Sequence, residues 1–60
     1  MSDLFEPSLQ EMIVDAEREV RMRINVYPKL VINGRMKQDD ADRKIAIMRA
    51  IVERLRGLKP

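Results

Sequence analysis

Three aspartates within four positions, Asp39, Asp40 and Asp42, form the only tight cluster of potential ligands in the chain. Carboxylates so spaced suit a hard cation such as calcium. The cluster lacks the alternating Asp/Asn positions, the central glycine and the distal glutamate of a calcium loop. Three acids at the start of a helix are explained more simply by the positive end of the helix dipole. Nucleophilic and general acid–base chemistry find little to work with. The sequence has no histidine, cysteine or threonine, and its only serines are Ser2 and Ser8. The remaining carboxylate pairs stand on turns of polar helix surface, where nothing would raise a pKa into the range a general acid needs. No glycine-rich phosphate loop is present. The expectation is a protein that is not an enzyme and carries no metal or cofactor.

A third chemistry is phosphate recognition. Arg43, Arg49 and Arg54 stand on the polar side of a helical pattern in the basic half of the chain. Asp42 and Glu53 share that side, and the chain has only two aromatics, Phe5 and Tyr27. A helix-turn-helix needs a third supporting helix, and a ribbon-helix-helix needs a leading strand where this chain is helical. A small nucleic-acid-binding regulator is therefore the alternative reading. The leading one is a dipole-matched, solvated helix face.

These residues must be positioned by few elements. Sixty residues with no cysteine bound a single domain, 1–60, with no disulfide staple. Residues 1–7 read as a short arm in which Leu4 and Phe5 lie between acids and Pro7 stops any earlier helix. The N-terminus has neither the basic nor the apolar region of a signal peptide, and no apolar run reaches the ~18 residues of a membrane span. The expected location is cytoplasmic.

Ser8 and Glu11 have the spacing of a capping box. Leu9, Ile13, Ala16, Val20, Ile24 and Tyr27 follow on one narrow stripe, with Met12 at its edge and Arg23 in its margin. The first helix is expected over 8–27. Pro28 disfavours its continuation, so 28–33 is expected either as a kinked continuation or as a short helical turn started by proline, closed by Asn33-Gly34. The second helix is expected over 39–56, capped by Asp39 or Asp40 and stopped at Gly57. Its apolar residues are Ala41, Ile45, Ile47, Met48, Ile51, Val52, Leu55 and, if the helix extends, Leu58, an arc of roughly 160° at 100° per residue.

Charge orients the pair. Residues 1–20 hold six acids and one base, and residues 21–60 hold eleven bases and four acids. In an antiparallel hairpin, Glu11 and Asp15 lie beside Arg49, Arg54 and Arg56. At the other end, Arg21, Arg23 and Lys29 lie beside Asp39, Asp40 and Asp42. The fold class is all-α, a two-helix hairpin. The arc on the second helix is wider than one partner helix covers, and the excess is Ile47, Ile51 and Leu58. The arm and Leu30, Val31 and Ile32 would cover part of it. A second hairpin would cover more, giving a four-helix homodimer. The candidate interface is thus Ile47, Ile51, Leu55 and Leu58, with Tyr27 and Met36 at the hinge as a further recognition surface. Met12 and Met48 read as core filler, and Met22 and Met36 as exposed.

The string from Met22 to Met36, M-R-x-x-V-Y-P-K-x-V-x-x-G-R-M, is followed by A-D-R-K-I-A-I-M from Ala41 to Met48. Together they resemble a pattern in small phage and prophage proteins of unknown function. The resemblance covers about half the chain and leaves out the segment from Ser8 to Val20. It implies a helical accessory protein from mobile DNA and implies no activity.

Overall fold

Ser8 begins the fold as its capping box requires. Its hydroxyl oxygen accepts from the Glu11 backbone N–H at 3.1 Å, and its own N–H donates to the Glu11 carboxylate at 2.9 Å. Two donors that a helix start leaves without partners are thereby satisfied. The computed structural model describes residues 6–58 of the chain. The proposed cover by Leu4 and Phe5 lies outside them.

The first helix, α1, runs from Leu9–Ile32. Of the two readings of 28–32 the continuation holds: Pro28 sits inside α1, and the helix passes the expected end at Tyr27. Pro28 removes one backbone donor and crowds the preceding turn. The continuation places Leu30 and Val31 half-buried on the inner side, which offsets that loss. The helix ends at Ile32 and is closed, as expected, by Asn33-Gly34, with Gly34 at φ of +73°. There the Arg35 N–H donates to Leu30 O at 2.8 Å and the Gly34 N–H to Val31 O at 3.0 Å. This nested pair is a Schellman cap, and its left-handed residue is the glycine.

The second helix, α2, runs from Gln38–Gly57. Its N-cap is Lys37, which makes no side-chain cap bond. The expectation that Asp39 or Asp40 caps it is therefore corrected. Both lie within the first turn, where they face the dipole instead. The earlier start makes Ala41 a first-turn residue and buries it against the hairpin. Gly57 is the last helical residue, and Leu58 follows as the cap, its N–H donating to Leu55 O at 3.2 Å.

The helices pack antiparallel along one seam. On α1 the inward residues are Leu9, Ile13, Ala16, Val20, Arg23, Tyr27 and Leu30; on α2 they are Ala41, Ile45, Met48, Val52 and Leu55. Steps of four and three alternate throughout, the 3.5-residue repeat that keeps two helices in register over many turns. The stripe expected from the sequence ran through Ile24. That is corrected too: Ile24 is exposed, and Arg23 holds the inner position.

Arg23 is accommodated by three groups. Its Nε donates to Glu19 Oε2 at 2.9 Å, its guanidinium lies over the Tyr27 ring, 5.9 Å from the centroid, and a terminal nitrogen donates to Lys44 O at 2.9 Å. The last bond crosses to α2, so Arg23 meets a backbone carbonyl there, where an aspartate was expected. At the other end the charge pairing takes the expected sense with a different acid: Arg56 of α2 forms an ion pair with Glu17 of α1.

Candidate functional site

Among the described residues only Ala16 and Ala41 are buried, and no large side chain is fully buried. The apolar surface left over is not scattered. Ile47 and Ile51 stand one turn apart on α2, exposed by 45% and 41%, and form a stripe beside the seam. Leu58 is 58% exposed, but it follows α2 in an extended conformation, so its expected place in the helical arc is corrected. Leu55, half-buried, joins that stripe to the seam.

Two shallow grooves meet on this stripe. One, of about 480 Å³, has Met12, Met48, Ile51 and Leu55 as its floor, with Glu11, Asp15 and Glu19 of α1 along its edge. The other, of about 320 Å³, is lined by Ile47, Ala50, Ile51, Arg54 and Leu55. Ile51 and Leu55 belong to both. Read across the hairpin, the face is therefore acidic on α1, apolar in the middle and basic at Arg54 on α2. Met12 was expected as core filler, but it is 39% exposed and forms part of the open floor. Its place at the edge of the α1 stripe was the signal available in the sequence.

The other candidate interface residues lie elsewhere. Tyr27 is half-buried in the seam beneath Arg23, and Met36 is half-buried in the turn. Neither lines the two grooves. The structure thus brings together Ile47, Ile51 and Leu55, leaves Leu58 beyond the end of α2, and keeps the hinge pair apart from them.

The arginines of the alternative reading do not converge. Arg43, Arg49 and Arg54 are all exposed. Arg49 lies on the opposite side of the hairpin, in a groove of about 530 Å³ with Glu17, Val20, Arg21, Val52 and Glu53. Arg43 and Arg54 share an outward stripe but stand eleven residues apart, roughly 16 Å of helix. The Asp39, Asp40 and Asp42 carboxylates fan out around α2, and Asp42 accepts from the Gln38 side-chain amide at 2.9 Å. Among the described residues no three potential ligands gather about one point. Glu11 is held below the usual carboxylate pKa by the Ser8 N–H and then the Ser8 hydroxyl. That is the direction of a helix cap and opposite to what a general acid requires. No helix among the described residues is long and apolar enough to cross a membrane.

No family model matches the sequence, and neither a curated protein nor a solved structure is significantly similar to it.

Proposed function

We propose that this protein is a non-enzymatic protein–protein interaction module that works as a homodimer. The observation that carries the reading is the exposed apolar stripe Ile47–Ile51, left open beside a seam in which, among the described residues, no large side chain is fully buried. A domain of this size rarely holds more than 3–5 kcal/mol from its own core, and without disulfides a second copy is the available staple. Contiguous apolar surface of this kind marks interaction sites. The resemblance of Met22–Met36 and Ala41–Met48 to small phage and prophage proteins supports an accessory role.

Solution mass by light scattering over a concentration series tests it. The expected result is twice the 7.1 kDa chain mass. Ile51→Asp, which puts a charge on the apolar stripe, is expected to return a monomer or an unfolded chain. A wild-type chain that stays monomeric and folded at every concentration overturns the homodimer.

A further inference from the structure

The open face carries charge as well as apolar area, and the charge constrains how a second copy lies on it. The argument rests on the homodimer proposed above. Glu11, Asp15 and Glu19 run along the α1 edge of the face, and Arg54 stands on the α2 edge, with Met12, Met48, Ile51 and Leu55 between them. Arg54 makes no ion pair within the chain among the described residues, and neither does Asp15.

The size is adequate. The hairpin is 22 Å across, and α2 has 20 residues, about 30 Å at 1.5 Å per residue. One whole side of the hairpin, of which this face is the part toward the start of α1, projects to about 650 Å², and its accessible area exceeds that because it is corrugated. Stable pairs bury about 800 Å² per partner.

Two ways of laying identical faces together differ in what the rows meet. With the two-fold axis perpendicular to the helices, α1 lies on the partner's α1; an axis at the height of Asp15, which keeps the two Met12–Ile51–Leu55 faces together, sets the acidic row against itself. With the axis parallel to the helices, α1 lies on the partner's α2, and the acidic row faces the arginine. A parallel axis also preserves height along the bundle. Glu17 pairs with Arg56, and Ala16 lines the same groove as Leu55, so Asp15 stands within about a turn of the height of Arg54. We infer that two copies meet through the Met12–Ile51–Leu55 face about an axis parallel to the helices, with Asp15 opposite the partner's Arg54. Every neighbouring pair of helices in the resulting bundle is antiparallel.

The test is a dimer dissociation constant for four proteins at low salt, by sedimentation, with circular dichroism confirming equal helix content. Asp15→Arg and Arg54→Asp each turn two symmetric attractions into repulsions, and each is expected to weaken the dimer about tenfold or more. The double variant is expected to return within about threefold of wild type, since swapped partners still attract. Asp15→Arg that binds as tightly as wild type, or more tightly, overturns this arrangement and favours α1 on α1. A double variant no better than the singles also overturns it. Neither outcome touches the homodimer itself, which fails only if the wild-type mass is monomeric.

Discussion

At the residue scale, Ser8 and Glu11 tie sequence to structure most directly. Each satisfies the other's backbone, and the cost of losing an N-cap is typically about 1 kcal/mol. The Glu11 carboxylate is stabilised in its charged form by the Ser8 N–H and hydroxyl, so its folded pKa is depressed. Stability from that charge is fully present above the unfolded pKa, about 4.3, and is lost as pH falls through the lower folded value. Glu11→Gln keeps a hydrogen-bonding side chain and removes the charge. Urea unfolding at fixed protein concentration should therefore find wild type more stable than Glu11→Gln at pH 7. The gap should close progressively below about pH 4.3. A gap that does not change with pH would mean that the charge contributes nothing. The same scale explains Arg23. A guanidinium is tolerable in a helix seam when its head reaches a carboxylate, a ring face and a backbone carbonyl at once. Its stem then fills the seam position that the repeat assigns to it.

At the element scale, the two ends of the turn exert opposite pressures on α1. Pro28 forfeits a helical hydrogen bond in mid-helix, whereas Gly34 supplies the left-handed residue that ends it. Pro28→Ala is expected to stabilise the fold by about 1–3 kcal/mol, the helix-interior penalty of proline less its effect on the unfolded chain. Gly34→Ala is expected to destabilise it by about 1–2 kcal/mol, since an added Cβ meets nothing within 4 Å and the backbone conformation alone carries the cost. Thermal melts of the two variants should move in opposite directions. A Pro28→Ala chain that melts lower would mean that the proline's bend is needed to close the hairpin. These residues also show what the sequence disclosed. The start of α1 was legible because capping is local, a matter of four consecutive residues. The end was left between Tyr27 and Ile32 because proline's local penalty competes with the burial of Leu30 and Val31 against α2, and burial depends on the partner helix. The inner stripe was read through Ile24 for a similar reason. Side-chain polarity favours isoleucine over Arg23, but a two-helix seam enforces alternating steps of four and three. The open stripe Ile47–Ile51 was legible because it needs only the angular width of one helix; Leu58 was not, because α2 stops at Gly57 and the chain turns extended there. The acidic edge facing it was not, because Glu11, Asp15 and Glu19 join that face only once the helices are side by side.

At the scale of the whole molecule, the hairpin is 22 Å by 13 Å in cross-section, two helices wide and one thick. A single layer has no interior: each helix turns one stripe to its neighbour and leaves both flanks in water. Burial of side chains such as Ile13, Val20, Met48 and Val52 is therefore partial. The hydrophobic contribution scales with the area removed at about 25 cal/mol per Å². Ordering each residue costs about 1–2 kcal/mol in backbone entropy, so a half-buried seam closes the balance poorly for one chain. A second layer would bury Met12, Ile47 and Ile51 and complete the burial of Met48 and Leu55, converting one seam into a four-helix core. Folding and association would then be one event. In that case the unfolding equilibrium involves two chains, and stability depends on concentration. Each tenfold dilution should lower the apparent stability by about 1.4 kcal/mol per mole of dimer. The urea midpoint should fall accordingly between 100 µM and 1 µM, a range chosen to span two decades, or about 2.8 kcal/mol. Ile51→Asp provides the contrast. If it folds at all, its midpoint should be lower than that of wild type and independent of concentration. A wild-type midpoint that stays fixed across the series would show that the single hairpin holds itself together and that the stripe on α2 is surface kept for another purpose.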